Sequence, residues 1–200
     1  MTSITFLNGV ISIGDSAFTS CNLLSSITLS NSVTSIGHYA FSYCSSLSSI
    51  TITENVASIG EGAFIGCKKL KKITVSSKNR CFESVKDVLF NKNGSKLIFY
   101  PTGKNETSYK VPDYVKSIGN QSFSFCYSLS SKTLPNSVTS IGLSAFFDCR
   151  SLASINIPNN VTSIGNFAFC WCSSLTSITL PNNIISIVIL LFSVAIYCHQ

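Results

Sequence analysis

The sequence predicts an α/β solenoid, a stack of similar coils within one elongated domain. Two observations lead to this prediction. Four residue types recur at a fixed period of 23 residues, and each repeat joins a strand-like alternating stretch to a stretch with helical spacing. One coil alone cannot bury its apolar side chains, whereas stacked coils bury them against each other.

Four columns of identical residues define the repeat. Each glycine is followed at fixed distances by a phenylalanine, a cysteine and a leucine, as in Gly142, Phe146, Cys149 and Leu152. The glycines are Gly14, Gly37, Gly60, Gly119, Gly142 and Gly165. The phenylalanines are Phe18, Phe41, Phe64, Phe123, Phe146 and Phe169, and the cysteines are Cys21, Cys44, Cys67, Cys126, Cys149 and Cys172. Apart from one longer interval near the middle of the chain, the spacing is constant, which chance cannot produce.

Each part of the repeat predicts a local structure. In Leu47–Ile52 apolar and polar residues alternate at the end, the period of a half-buried strand. Val138–Ile141 sends a second short extended segment inward, and Gly142 is expected to adopt a backbone conformation that a side chain would penalise. The apolar residues of the stretch 145–152 follow at spacings of one, three and three, which predicts one or two helical turns with a single buried face.

The string Leu-Pro-x-x-Val-x-x-Ile-Gly-x-x-Ala-Phe-x-x-Cys-x-x-Leu-x-x-Ile, read from Leu134, resembles the BspA-like leucine-rich repeat. The resemblance covers nearly the whole chain. It implies a right-handed leucine-rich-repeat stack with a short parallel sheet on the concave face, second short strands and one- to two-turn helices per repeat. It also implies similarity to surface proteins of bacteria and anaerobic protists that are implicated in adhesion to host matrix and to other cells.

The repeat divides the chain into regular coils 4–72, an enlarged coil 73–108, regular coils 109–183 and an apolar terminal segment 184–198. In the enlarged coil, Asn93-Gly94 stands between two apolar runs and predicts a β-hairpin. This hairpin either continues the sheet or projects as a ledge that shapes a binding surface.

Positive charge concentrates around the same coil. Twelve of the fourteen Lys and Arg residues lie between Lys68 and Lys116, together with only four acidic residues. Such a patch can attract anionic glycans, acidic proteins or membrane headgroups, although the charges can equally be the ordinary solvation of an irregular region. No nucleic-acid motif is present, so nucleic acid is not a predicted partner.

A column of outward-facing polar residues, mostly threonines, lies on the predicted first strands. These residues either solubilise the sheet face or form a hydroxyl-rich recognition surface. Together with the first lysines of the basic region, they make up the candidate ligand-binding set. It comprises Thr28, Thr51, Thr74, Thr133, Asn156, Thr179, Lys68, Lys69, Lys71 and Lys72.

Two places depart from the pattern. Lys132 occupies an inward position that isoleucine holds in other coils, so local distortion or a snorkelling side chain is expected there. The segment 184–198 carries no charge, and its outward positions become apolar as well. It can be an end coil covered by a partner, a marginal membrane anchor or the stump of a longer gene.

No constellation of residues predicts chemistry. The six cysteines of the ladder are expected to be small buried residues, with disulfide bonds between stacked neighbours as the alternative. Cys170-Trp171-Cys172 is not a zinc motif, and the chain has only two histidines, so neither a metal nor a cofactor is predicted. The acidic residues are scattered, which argues against acid–base or nucleophilic catalysis.

The sequence therefore predicts a non-catalytic scaffold that binds a protein or an anionic glycan, through the sheet face or the basic ledge, in cell-surface adhesion. The alternative is an intracellular scaffolding protein, because no signal peptide is visible at the start of the sequence. Membrane association through 184–198 is a further possibility that the sequence leaves open.

Overall fold

The computed structural model describes residues 1–187, and the side chains of all of these except Lys132, Ser186 and Ile187. The chain divides into two compact units, Met1–Lys104 and Asn105–Gln200. Each is a right-handed solenoid of stacked strand coils. The predicted solenoid and its parallel strands are therefore confirmed.

Two ladders of parallel strands run through the first unit. The first ladder contains β1 (Ser3–Thr5), β3 (Ser26–Thr28), β5 (Ser49–Ile52) and β7 (Lys72–Val75). The second contains β2 (Ser12–Ile13), β4 (Ser35–Ile36) and β6 (Ser58–Ile59). Ile4 pairs with Ile27, and Ile50 pairs with Ile73. Because partners lie 23 residues apart, the repeat period is the register of the sheet.

The enlarged coil folds into three antiparallel strands. They are β8 (Phe82–Val85), β9 (Val88–Asn91) and β10 (Lys96–Phe99). The hairpin predicted at Asn93-Gly94 joins β9 to β10, and Gly94 has a φ of 67°. A second hairpin, absent from the prediction, joins β8 to β9 through Lys86 and Asp87, whose φ values are 50° and 68°. Positive φ at both central residues is the mark of a type I′ turn.

The second unit repeats the two ladders of parallel strands. Its first ladder contains β11 (Ser108–Lys110), β13 (Ser131–Thr133) and β15 (Ser154–Asn156). Its second contains β12 (Ser117–Ile118), β14 (Ser140–Ile141), β16 (Ser163–Ile164) and β17 (Ser186–Ile187). The next position of the first ladder, residues 178–180, is not a strand.

The predicted helices are wrong, since residues 1–187 contain no helix. After each repeat glycine the chain makes alternating turns instead. The amides of Ser16, Phe18 and Ser20 each donate to a carbonyl of the following coil, at 2.8 Å. The amides between them donate back three residues within their own coil, as Thr19 does to Ser16 at 3.1 Å. An α-helix would consume all these amides internally, whereas the turns use half of them to join the coils.

Left-handed backbone conformations produce this alternation. Two residues per regular coil have positive φ, and they fall in register from coil to coil. The first set is Ser16, Tyr39, Gly62, Gln121, Ser144 and Phe167. The second set is Ser20, Tyr43, Gly66, Phe125, Asp148 and Trp171. A residue with positive φ cannot continue a right-handed helix, so the segments turn without becoming helical.

Stacked phenylalanine rings form the centre of each unit. Phe41 lies between Phe18 and Phe64, with ring centroids 5.4 Å and 6.1 Å away and planes within 7° of parallel. In the second unit Phe146 lies between Phe123 and Phe169, at 5.1 Å and 5.4 Å. The rings from Phe41 to Phe64 and from Phe123 to Phe169 are at most 1% exposed. The apolar column of the sequence is thus a continuous core within each unit.

The repeat glycines allow the coils to approach closely. A Cβ on Gly142 would lie 2.6 Å from the backbone nitrogen of Asn120 and 2.7 Å from the carbonyl carbon of Gly119. The expected reason for Gly142, a conformation that side chains disfavour, is wrong because its φ is not in the positive range. The column is glycine because the backbone of the preceding coil occupies the space that a side chain would need.

The eight cysteines among residues 1–187 are free thiols, and those of the ladder make a hydrogen bond that the sequence did not predict. The Sγ of Cys67 donates to the carbonyl oxygen of Phe41 in the preceding coil, at 3.0 Å. Equivalent bonds link Cys44 to Phe18, Cys149 to Phe123 and Cys172 to Phe146. The thiol therefore serves both as a small core residue and as a donor between coils.

Burial should make these thiols unreactive. Burial raises the pKa of the Cys44 thiol to about 11 and raises the pKa of Cys67 further. Since the thiolate is the nucleophile, we expect iodoacetamide at about pH 8 to leave both thiols unmodified in the folded protein and to modify both in urea. Peptide mass spectrometry measures this, with the half-buried Cys81 as the internal control. Fast native labelling of Cys67 would contradict the burial.

The same shift predicts a pH dependence of stability. The folded pKa of Cys44 lies above its ordinary value of 9.0, so folding favours the protonated thiol. Its contribution to stability is complete below pH 9 and is lost as the pH rises through about 11. We expect the urea midpoint of unfolding to fall over this range, and to fall less in the Cys44→Ala variant. An equal fall in both proteins would remove the thiol as the cause.

Two predictions concern parts of the chain that lie outside the described residues. The side chain of Lys132 is one of these, although its backbone pairs with Tyr109 and Ile155. The other is the apolar terminal segment 184–198, of which only the start is described. In the described part of the chain, no helix is long and apolar enough to cross a membrane.

Candidate ligand-binding surfaces

The hydroxyl column stands on the outer side of the first ladder in each unit. Thr28 and Thr51 are exposed, while Ile27 and Ile50 on the same strands are buried. Thr74 continues the column beside Thr51 and is half-buried. In the second unit the candidates Thr133, Asn156 and Thr179 are all exposed. The first two pair in register, whereas Thr179 lies beyond the last strand of that ladder.

The four lysines replace four serines of the preceding coil. Lys68, Lys69, Lys71 and Lys72 lie 23 residues after Ser45, Ser46, Ser48 and Ser49. The structure places them side by side with these serines, since β7 pairs Lys72 with Ser49 and the amide of Lys71 donates to the Ser48 carbonyl at 3.0 Å. We call this the lysine row. It joins the two predicted surfaces, because Lys72 belongs to the same exposed strand face as Thr74.

The lysine row is exposed and carries uncompensated charge. All four side chains are exposed, while Leu70 between them is fully buried and fixes the backbone. In the part of the chain that the structure describes, none of the four pairs with a carboxylate; Lys78 and Lys104, by contrast, approach Glu54 and Asp87 at 4.0 Å and 3.7 Å. Four cations along one coil edge create a positive potential that attracts a linear anion.

The neighbouring serines contribute to the fold more than to a site. The hydroxyl of Ser45 donates to Asn22 Oδ1 at 3.2 Å, and that of Ser48 lies 3.5 Å from the carbonyl of Ser25. These hydroxyls therefore bond the preceding coil. The strand threonines and the lysine ammonium groups are the polar groups of this surface that point outward.

A groove beside the second ladder of the first unit brings together three titratable side chains that the sequence analysis did not connect. Asp15 Oδ1 accepts the amide of His38 at 2.7 Å, and His38 Nδ1 accepts the amide of Glu61 at 3.1 Å. In the second unit Asn120 Oδ1 does the same for Leu143 at 2.9 Å. Because the repeat position is shared, these side chains have a structural role in joining coils.

No metal site emerges from the described residues. Among residues 1–187, no group of three or more His, Cys, Asp or Glu side chains is arranged to hold a metal ion. The groove of about 650 Å³ that contains Asp15, His38 and Glu61 also includes Lys96 on its wall. The hydrogen bonds between coils account for the first two of these side chains.

A polar and aromatic cluster in the second unit was also missed. Asp148, whose side chain is 6% exposed, accepts hydrogen bonds from Arg150 Nε at 2.7 Å, Arg150 Nη2 at 3.1 Å and the Tyr127 hydroxyl at 3.2 Å. The guanidinium also lies over the Tyr127 ring, 5.5 Å from its centroid. The hydrogen bonds and charge of Asp148 raise the pKa of Arg150. No residue spacing signals this cluster, because its members come from two coils.

Comparison with known proteins gives a family and several structural relatives. The family model described as the BspA type leucine rich repeat region matches residues 1–103 and 92–195, in 6 copies. No curated protein matches the chain.

Three solved structures illustrate the likeness. A leucine rich cell surface protein from Faecalibacterium prausnitzii is 33% identical, with a TM-score of 0.83, over 92% of this chain and 48% of that one. The pneumococcal vaccine antigen PcpA is 29% identical, with a TM-score of 0.83, over 96% and 54%. A leucine-rich repeat protein from Eubacterium ventriosum is 29% identical, with a TM-score of 0.68, over 88% and 59%. The chain thus spans about half the length of the first two relatives.

Proposed function

Because the chain belongs to the BspA type leucine-rich repeat family, we propose that it is a non-catalytic scaffold that binds a protein or an anionic glycan at a cell surface. The lysine row carries this proposal. Four exposed lysines replace four serines at identical repeat positions, so the charge is additional to what the fold needs. The strand threonines beside them supply hydroxyl groups for the same ligand.

The geometry favours an extended ligand over a small one. A strand advances ~3.3 Å per residue, so the ammonium groups from Lys68 to Lys72 are spread along an edge rather than gathered in a pocket. A chain of sulfate or carboxylate groups can meet several of them at once. Long flexible lysines bind such groups as point charges, so the interaction is expected to depend on charge more than on exact geometry.

Replacement of the lysine row should abolish most of this binding. In the variant with Lys68, Lys69, Lys71 and Lys72 changed to Gln, we expect affinity for dextran sulfate to fall roughly tenfold or more at ~50 mM salt. The difference should shrink towards none at ~1 M salt, where charges are screened. Surface plasmon resonance with immobilised dextran sulfate measures both values, and poly-glutamate in parallel separates a glycan from an acidic protein ligand.

A matched variant tests whether net charge alone is responsible. Changing Lys78, Arg80, Lys92 and Lys96 to Gln removes the same charge elsewhere in the first unit. If both variants lose affinity equally, the lysine row has no special role and the proposed surface is wrong. If only the lysine row matters, the binding edge is located.

The proposed location needs a separate measurement. Surface biotinylation of intact cells that express the full-length natural protein should label the chain if it is displayed outside. Recovery of label only after lysis would favour the intracellular scaffolding alternative. This result would leave the binding measurement untouched, since that measurement uses purified protein.

A further inference from the structure

We propose that a turn edge of the second unit is a binding site for neutral saccharides. The site consists of Phe125, Tyr127, Phe147, Arg150 and Trp171, and we call it the aromatic edge. It is separate from the lysine row, which lies in the first unit. The proposal therefore does not depend on the function proposed above.

Backbone strain is the first observation that supports a site. Phe125 and Trp171 occupy the same repeat position, with φ values of 62° and 64°. A bulky residue in this region costs ~1–2 kcal/mol, whereas glycine, present at the equivalent Gly66, costs nothing. Strained residues persist where the surroundings hold them and the side chain is needed. The fold would accept glycine at both places, so the rings serve another purpose.

The aromatic rings are held rigidly and partly exposed. Phe125 packs edge-to-face against Phe147, with centroids 5.7 Å apart, and against Tyr127 at 6.1 Å. These three rings are half-buried, and Trp171 is 52% exposed. Rings fixed in this way lose little conformational entropy when a ligand stacks on them.

Arg150 adds a fixed hydrogen-bond donor group. Its side chain is 62% exposed, yet Asp148 and the Tyr127 ring hold the guanidinium in one position. A guanidinium has five N–H donors, and Asp148 accepts from two of its nitrogen atoms. The other donors can reach an incoming ligand. Because Asp148 neutralises the charge, the edge offers donors without net charge.

These properties fit a saccharide better than a protein. A stable protein interface uses about 20–30 residues a side, and this edge supplies five. A sugar ring presents C–H groups on one face, which the electron-rich face of an aromatic ring attracts, and hydroxyl oxygens at its rim, which accept hydrogen bonds from a guanidinium. The absence of net charge around Arg150 and Asp148 selects neutral sugars over anionic ones.

Trp171 reports directly on the site, because it is the one tryptophan of the chain. We would titrate the full chain with tetrasaccharides of glucose, galactose and N-acetylglucosamine and follow its fluorescence. We expect a saturable change in emission with at least one of them, and the same dissociation constant at low and high salt. No saturable change with any of the three would overturn the proposal.

Variants then separate the site from the fold. Trp171→Gly repeats the residue found at Gly66 and relieves the strained conformation, so the protein should stay folded. By calorimetry we expect affinity for the saccharide to fall about tenfold in this variant and also in Arg150→Lys. Tyr43→Gly, at the same repeat position in the first unit, is the matched control and should bind normally. Equal affinity of the Trp171→Gly variant and the natural chain would overturn the proposal.

The lysine-row variant distinguishes this site from the proposed anionic surface. It should lose dextran sulfate and keep the neutral saccharide, while Trp171→Gly should do the opposite. A change in Trp171 fluorescence with poly-glutamate but with no saccharide would assign the aromatic edge to a protein segment, and the saccharide proposal would be wrong.

Discussion

Replacement of Phe41 by alanine is expected to lower the free energy of unfolding by about 3–5 kcal/mol, which would be among the largest effects of any single substitution in the chain. Phe41 is fully buried between Phe18 and Phe64, and both rings lie parallel to it. Removing the ring leaves a cavity between two coils whose spacing the backbone hydrogen bonds fix. The structure therefore cannot collapse to fill it. Urea denaturation followed by circular dichroism measures the loss.

Phe18 provides the matched control. It occupies the same column in the first coil, but it is only half-buried and has one parallel neighbour. Phe18→Ala should therefore cost roughly half as much, about 1.5–2.5 kcal/mol. Equal losses in the two variants would mean that the rings do not stabilise each other as a stack.

The stacking register was predictable because a solenoid repeats its own geometry. When residues 23 apart share a type, they must share an environment, so Ile27 and Ile50 identify inward positions without any knowledge of the fold. The Asn93-Gly94 hairpin was predictable for a different reason, since that dipeptide suits a tight turn by itself. The second hairpin escaped because Lys86 and Asp87 have no such preference. Contacts hold that turn instead: Lys104 Nζ donates to the Lys86 carbonyl at 3.2 Å.

The helices were predicted wrongly because apolar spacing does not specify the backbone. Ala145, Phe146 and Cys149 follow each other as they would on a helix face, and they are indeed buried together. The alternating turns place the same residues inward. The difference lies at Ser144 and Asp148, whose positive φ is imposed by pairing with the neighbouring coil. Only the stacked structure provides those partners.

The candidate surfaces were predictable in proportion to their local signal. The lysine row was visible because four charges stand close together in the sequence, although its pairing with the serines required the register of the sheet. The aromatic edge combines Tyr127 with Arg150 and Phe125 with Phe147, from neighbouring coils. A period of 23 brings these residues together, yet their types differ from coil to coil. A search for identical columns therefore passes over them.

Replacement of Gly60 by alanine is expected to destabilise the first unit by about 3 kcal/mol, even though it adds a single methyl group. A Cβ at this position would overlap the backbone nitrogen of His38 and would lie 2.5 Å from the carbonyl carbon of Gly37. Both are main-chain atoms of the preceding coil, so no side chain can rotate away. The two coils would have to separate, which would lengthen the bond from the Gly60 amide to the Ile36 carbonyl, now 2.8 Å.

Gly14 shows whether close approach is the cause. It lies in the same column of the first coil, and a Cβ there would meet nothing within 4 Å. Neither glycine needs a positive φ, so the backbone preference of alanine is the same at both positions. We therefore expect Gly14→Ala to change the free energy of unfolding by less than about 0.5 kcal/mol, in either direction. If Gly14→Ala were as damaging as Gly60→Ala, the glycine column would be explained by backbone conformation and not by the spacing of the coils.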